Sequence, residues 1–99
     1  MRGMPLVVYV EDRNHGRMAK TLDDRKGTFL TLCEEAPAGS LMRCVQRRGD
    51  TMLNEIQLVQ FVEELNGLPL EKRNSTVRKL AAAAEFAIAS YGYLYFVGT

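Results

Sequence analysis

The chain has little of several residue types on which common functions depend. It contains no tryptophan, one histidine and two cysteines, Cys33 and Cys44, in 99 residues. Secreted domains held by disulfides usually carry more cysteines, and a zinc site needs about four Cys, His or carboxylate ligands. The sequence therefore favours reduced thiols and predicts no metal or other cofactor. One disulfide stays open as an alternative, because both cysteines lie in predicted strands that could pair.

An excess of one charge and a long apolar run are also missing. Thirteen Lys and Arg residues oppose twelve Asp and Glu residues, which gives a net charge of +1. Proteins that coat nucleic acid usually show a strong basic excess. The first apolar run covers only residues 6–10, which is too short for a signal peptide or a bilayer span. We therefore expect a cytoplasmic protein with no membrane partner, and the totals disfavour nucleic acid.

What remains is the composition of an ordinary folded domain. Hydrophobic residues make up 46% of the chain and charged residues 25%, as in typical globular proteins. The length is close to the commonest domain size. We expect one α+β domain over residues 1–99.

The first half of the chain has the composition of strands separated by polar turns. β-Branched and aromatic residues predict strands at Pro5–Val10, Arg17–Leu22, Thr28–Cys33 and Leu41–Gln46. The nearly continuous apolar run of the first strand indicates burial on both of its faces. Residues 23–27 and 34–40 are predicted to be a charged turn and a loop.

Apolar residues then recur with a helical period. The predicted helix carries an apolar stripe widened by Leu58 and Phe61. Asn54 and Gln57 have the spacing of a capping box, and Gly67 is expected to end the helix in the left-handed conformation. The stripe consists of Leu53, Ile56, Val59, Val62 and Leu65.

A second helix and a last strand complete the chain. Pro69 suits a first helical turn, whereas Asn74, Ser75 and Thr76 are competing later N-caps. The predicted helix closes at residues 90–92. Tyr93–Val97 then reads as a strand too apolar for an exposed edge. The order of strands, two helices and a strand predicts a mainly antiparallel sheet with two consecutive amphipathic helices packed on one face. The apolar positions of the second helix are Val77, Leu80, Ala84, Ile88 and Tyr91.

No group of residues forms a recognisable catalytic site. His15 lies in a predicted turn, and a triad with Cys33 or Cys44 would need an orienting acid as well. The simpler interpretation is that both cysteines are small buried hydrophobic residues. We therefore predict a protein that is not an enzyme, and a small thiol enzyme is the less favoured alternative.

Paired acids occur at Asp23-Asp24 and at Glu34-Glu35. The simpler interpretation is that these are solvated turns. The alternative is an acidic patch at one end of the sheet, which would suit a partner with a basic groove. These four residues are the candidate partner-binding residues.

Basic residues cluster at Arg43, Arg47 and Arg48. A strand face carrying these arginines would support a small nucleic-acid-binding or regulatory module, which is the alternative function. Surface arginines more often serve solubility alone.

The second half of the chain resembles a family of small uncharacterised bacterial proteins. The segment from Gly49 to Gln57 reads Gly-Asp-Thr, two residues, Asn, two residues, Gln, and the ending from Tyr93 to Gly98 reads Tyr-Leu-x-Phe-x-Gly. That family closes with an acidic residue, where this chain has Thr99. Proteins of this kind look similar to the immunity proteins that bacteria make beside polymorphic or contact-dependent toxins. The resemblance implies an inhibitor that forms a one-to-one complex with a cognate protein toxin.

The polar residues of this motif also have a structural interpretation. Asp50 or Thr51 would turn the chain, and Asn54 and Gln57 would cap the helix. We favour this interpretation over a direct binding role. A homodimer through the last strand is compatible with every function considered.

Overall fold

The computed structural model describes residues 6–24 and 26–98, without the side chains of Ala19 and Asp23. Pro5, Arg25 and Thr99, to which predictions from the sequence refer, lie outside the described residues. Short 3₁₀ turns lie at Met42–Cys44 and Leu70–Lys72. The strands and helices are β1 (Leu6–Glu11), β2 (Arg17–Asp24), α1 (Thr28–Glu35), β3 (Gly49–Leu53), α2 (Glu55–Asn66), α3 (Ser75–Ala89) and β4 (Tyr93–Gly98).

The four strands form one antiparallel sheet in the order β2-β1-β4-β3. The hairpin of β1 and β2 was predicted, and its second arm extends to Asp24. The last strand, β4, pairs on both sides, with β1 and with β3. Its position confirms the prediction that so apolar a strand is not an edge.

The helices and one face of the sheet enclose a single core. The side chains of Phe29 in α1, Phe61 in α2 and Phe96 in β4 are fully buried and meet edge to face, with ring centroids 6.4 and 5.7 Å apart. Helix α3 packs against β1, β2 and β4. The predicted α+β class is confirmed, and a third helix joins the two that were expected. None of the helices in the described ranges has the length and apolar character needed to cross a bilayer.

The predicted strand Thr28–Cys33 is wrong, because this segment is helix α1. Phe29, Leu30 and Cys33 are buried, and only a helix brings residues at these spacings onto one face. Short apolar runs do not distinguish a strand from a buried helix. Here the preceding Asp24 stabilises the helix, since its carboxylate accepts hydrogen bonds from the Phe29 and Leu30 backbone N–H groups at 3.3 and 3.1 Å.

The predicted strand Leu41–Gln46 is also wrong, because Met42–Cys44 forms a 3₁₀ turn. The carboxylate of Glu64 on α2 accepts hydrogen bonds from the Leu41 and Met42 backbone N–H groups, each at 2.9 Å. This contact spans more than twenty residues, so local composition does not reveal it. The strand in this part of the chain is β3 instead, which lies at one edge of the sheet and begins at Gly49 with φ at 96°.

The ends of the later helices agree well with the sequence. Asn54 and Gln57 form the predicted capping box, with both hydrogen bonds at 2.9 Å. Of the competing starts for α3, Asn74 is the N-cap and accepts a hydrogen bond from Val77 N. Gly67 ends α2 as predicted, but in a right-handed conformation with φ at −86° rather than a left-handed one.

The apolar stripe of α2 is rotated from its predicted position. Leu58, Phe61 and Leu65 are fully buried, whereas Ile56 is 79% and Val59 49% exposed. Both sets of residues have helical spacing. The side of α2 that packs into the core is the one that carries Leu58, Phe61 and Leu65. The prediction that β1 is buried on both faces is likewise only partly correct, because Val7 and Tyr9 are half-buried.

Candidate functional site

No helix among the described residues packs against one face of the sheet, and we call this the open sheet face. Side chains alternate between the two faces of a strand, so the residues between the buried core positions point away from the helices. The register places Tyr9 opposite Tyr95, Glu11 opposite Tyr93, and Met52 opposite Tyr95. The open sheet face consists of Val7, Tyr9 and Glu11 on β1, Arg17 and Lys20 on β2, Asp50 and Met52 on β3, and Tyr93, Tyr95 and Val97 on β4.

The guanidinium group of Arg17 lies over two tyrosines of this face. Its guanidinium carbon is 4.2 Å from the centre of the Tyr9 ring and 5.3 Å from that of the Tyr95 ring. Cations are attracted to aromatic faces in this geometry. The Arg17 side chain is still 51% exposed, so its outer edge is open to a partner.

His15 covers the third tyrosine. Its ring stacks on Tyr93 with the centroids 4.4 Å apart and the planes 22° from parallel. The turn that holds His15 is fixed by Asp12, whose carboxylate oxygen accepts hydrogen bonds from Asn14 N and Gly16 N at 2.9 Å each. His15 itself has a positive φ of 66°, a conformation that histidine tolerates better than most residues.

Glu11 is buried between these two side chains. Its side chain is only 5% exposed, with Oε1 lying 3.4 Å from His15 Nδ1 and Oε2 lying 3.7 Å from Arg17 Nε. Oε1 has no hydrogen-bond partner. Burial of a charged carboxylate is costly unless neighbouring groups compensate it. The contacts with Glu11 therefore keep the side chains of His15 and Arg17 beside its carboxylate.

Tyr95 is anchored at the other end of the face. Its hydroxyl donates a hydrogen bond to Asp50 Oδ2. This hydrogen bond raises the pKa of the Tyr95 phenol, since it stabilises the protonated form. Asp50 therefore fixes the position of the ring that Arg17 also contacts.

The predicted acidic residues do not share one surface role. Asp24 is 4% exposed and caps α1, so the prediction that it contacts a partner is corrected: its carboxylate is engaged by the Phe29 and Leu30 N–H groups. Asp23 belongs to β2, and its side chain lies outside the described part of the structure. Glu35 is exposed, with Oε1 3.8 Å from Lys72 Nζ.

Glu34 is joined to one of the predicted arginines. Arg47 donates two hydrogen bonds to the Glu34 carboxylate, at 3.1 and 3.0 Å. Arg43 donates to the Ala36 carbonyl at 3.0 Å. Because these residues lie on a 3₁₀ turn and a loop, the strand face expected for Arg43, Arg47 and Arg48 does not form. A partner-binding role for Glu34 and Glu35 stays a prediction.

The residues of the Gly-Asp-Thr motif all make local contacts. Thr51 donates its hydroxyl to the Cys44 carbonyl at 3.0 Å, which ties β3 to the 3₁₀ turn. Asn54 and Gln57 cap α2, as described above, and Asp50 accepts from Tyr95. The capping of α2 by Asn54 and Gln57 agrees with the structural interpretation of the motif. The expectation that Asp50 or Thr51 turns the chain is wrong, because both residues lie within β3 and pair with β4.

The two cysteines are free and differ in environment. Cys33 is fully buried in α1, and Cys44 is exposed in the 3₁₀ turn. Burial, followed by the nearby charge of Asp24, raises the pKa of the Cys33 thiol. A thiol in this state is a poor nucleophile. In residues 6–24 and 26–98, no three His, Cys, Asp or Glu side chains form a group that could hold a metal ion.

A separate cavity of about 380 Å³ opens beside the end of α2. Leu32, Met42 and Leu68 form its apolar wall, and Glu64 and Lys72 lie among the polar lining residues. The Glu64 carboxylate is already engaged by the 3₁₀ turn. The lining of the cavity is thus mainly apolar, and its part-buried acid, Glu64, stabilises the fold through these hydrogen bonds.

No protein-family model, curated protein or solved structure matches this chain. The resemblance of the second half to small bacterial proteins and to immunity proteins therefore stays a prediction.

The sequence did not predict that the residues of the open sheet face lie together on one surface. The alternation of Tyr93 and Tyr95 and the placement of Tyr9 in β1 were visible as a pattern of tyrosines. What the sequence could not supply was the pairing of β1 with β4, which brings the three rings together.

Proposed function

We propose that this protein is a non-catalytic protein-binding module that docks its partner on the open sheet face. The single observation that carries the proposal is the composition of that face, which has three tyrosines, one arginine and one methionine on adjacent strands. Tyr, Met and Arg are enriched at protein interfaces, and Tyr and Arg dominate binding hot spots.

The packing of the face supports the same proposal. Met52 is 39% exposed, and Arg17 is held in place by its two tyrosine contacts. Side chains that are already ordered lose little entropy on binding. A stable complex needs roughly 800 Å² from each partner, so the face would form the centre of a contact that extends to the neighbouring turns.

For the partner, we propose a cognate bacterial toxin domain bound one to one in the cytoplasm. Support comes from the resemblance of the Gly-Asp-Thr motif and of the C-terminal strand to small bacterial proteins similar to immunity proteins. An inhibitor of this kind needs a rigid surface and no chemistry of its own.

Nucleic-acid binding is the second candidate, and one observation favours it. Aromatic residues on an open antiparallel sheet can stack on bases. The near-neutral charge of the chain and the covering of the Tyr9 and Tyr93 rings by Arg17 and His15 weigh against it.

The proposal is tested by affinity capture of a partner with matched surface variants. Met52→Glu places a charge on the open sheet face, and Phe86→Glu makes the same change on α3, where Phe86 is 52% exposed. We expect a protein captured near one-to-one by the wild type to be retained by Phe86→Glu and lost by Met52→Glu. Retention by both variants would contradict docking on the sheet.

The partner class has a separate readout. Expression of the captured protein's domain in a bacterium should arrest growth, and co-expression of the wild-type chain should restore it. A captured protein that has no effect on growth would contradict the toxin assignment while leaving docking on the sheet intact.

A further inference from the structure

The arrangement around Glu11 presents the side chains of His15 and Arg17 to solvent in fixed orientations. His15 and Arg17 contact opposite oxygens of one buried carboxylate, and each lies on a tyrosine ring. Both side chains remain about half exposed, at 53% and 51%. A buried carboxylate with an unpaired oxygen is an unusual feature, and here its charge holds two hydrogen-bond donors at the surface.

Among the side chains that the structure describes, none accepts a hydrogen bond from the terminal nitrogens of Arg17. Its Nε lies near Glu11, and its guanidinium carbon lies over the rings of Tyr9 and Tyr95. A guanidinium is planar and matches the two oxygens of a carboxylate. The contact with the Tyr9 ring restricts the position of the group before a ligand arrives.

We propose that Arg17 and His15 form a carboxylate-binding site for an acidic segment of the protein partner. This inference rests on the proposed function and names the chemistry of the partner at the open sheet face. Arg17 would donate to both carboxylate oxygens. His15, whose Nδ1 faces Glu11, would donate to one of them from Nε2 when both ring nitrogens carry a proton. Lys20, which lies opposite Tyr9 in the register, adds positive charge to the same face.

The occupied ring faces favour a protein carboxylate over a nucleic-acid phosphate. Bases bind open sheets mainly by stacking on exposed aromatic rings. On this face, Arg17 already covers Tyr9 and His15 already covers Tyr93. The rings thus orient the cations and are not left free for bases.

The probe is an acetylated tetraglutamate peptide, titrated into ¹⁵N-labelled protein and followed by NMR. We expect saturable shifts of the Arg17 Nε–Hε signal and of the amides of residues 15–17. Arg17→Gln should weaken the affinity about tenfold, the loss expected for a hydrogen bond between charged groups, and His15→Gln should weaken it by a smaller factor.

The matched control is Lys79→Gln, which removes the same charge from an exposed position of α3. We expect it to leave the affinity unchanged. Equal losses in Arg17→Gln and Lys79→Gln would show attraction by net charge alone and would overturn the inference. Tighter binding of tetralysine or of an eight-residue oligothymidine to the same face would also overturn it.

The captured partner separates failure of this inference from failure of the proposed function. If Met52→Glu abolishes capture and Arg17→Gln does not, docking on the sheet stands and the carboxylate site is wrong. If neither variant affects capture, docking on the open sheet face and the carboxylate site are both wrong.

Discussion

The Cα atom of Gly92 packs directly against the backbone carbonyl of Glu11, at the point where β1 and β4 leave no room for a side chain. A Cβ atom on Gly92 would overlap the Glu11 carbonyl oxygen. Because the obstacle is backbone rather than a flexible side chain, the strand end must shift to accept any larger residue.

Gly92→Ala should therefore destabilise the protein by about 1–3 kcal/mol, the range for overpacking a buried site. Gly67→Ala is the matched control, because its Cβ would meet the Glu63 carbonyl oxygen at 3.3 Å and its φ is negative. We expect the control to change the free energy of unfolding by less than about 1 kcal/mol. Urea unfolding measures both, and equal stabilities would contradict the geometry.

Asp24→Ala should lower the free energy of unfolding by about 1–3 kcal/mol, because it leaves the Phe29 and Leu30 N–H groups buried without an acceptor. Glu35→Ala removes an equal charge from an exposed pair and should cost less than about 1 kcal/mol. Comparing the free energies of unfolding of the two variants in urea distinguishes an acid that caps a helix from an acid on the surface. An unchanged stability in Asp24→Ala would mean that the cap is not formed.

Iodoacetamide should modify Cys44 in the native protein and leave Cys33 unmodified until the chain unfolds. Cys44 is exposed, whereas burial and the charge of Asp24 raise the pKa of Cys33, and the thiolate is the reactive form. Intact-mass spectrometry should show one label in the wild type and none in Cys44→Ser. Rapid labelling of Cys33 would contradict the placement of α1 against the core.

The hydrogen bond from Tyr95 to Asp50 predicts a pH dependence at the alkaline end. The pKa of Tyr95 is raised in the folded protein, so the contribution of this bond to stability is complete below the unfolded value of about 10 and is lost as the pH rises through the folded value. We expect the stability difference between wild type and Tyr95→Phe to disappear at high pH. Urea midpoints from about pH 8 to pH 11 measure it, and a difference that grows with pH would contradict the assignment.

The starts of α2 and α3 and the strand β4 were predictable because their signals are local. Asn54 and Gln57 form their capping box within one turn, and β4 has a run of strand-forming residues. The first half depends on distant contacts. The segment after Asp24 becomes a helix because of a buried cap, and the Met42 turn forms because Glu64 reaches it from α2. Neither contact leaves a periodic signal.

The candidate site shows the same division. Each tyrosine of the open sheet face was recognisable as an interface residue type, but their association required the pairing of the first and last strands. The acidic pairs were considered as a shared patch because both were placed in turns expected to meet at one end of the sheet. In the structure, Asp24 faces the core and Glu34 binds Arg47.

Binding of the partner to the open sheet face can be measured in one NMR experiment that follows the four tyrosines of the chain. Tyr9, Tyr93 and Tyr95 lie on the face, whereas Tyr91 lies outside the paired strands and is 62% exposed, so it serves as an internal reference. With ¹³C-labelled tyrosine rings and the purified partner, we expect the signals of Tyr9, Tyr93 and Tyr95 to shift or broaden while the signal of Tyr91 stays in place. A complex that perturbs Tyr91 alone, or none of the four, would contradict the account.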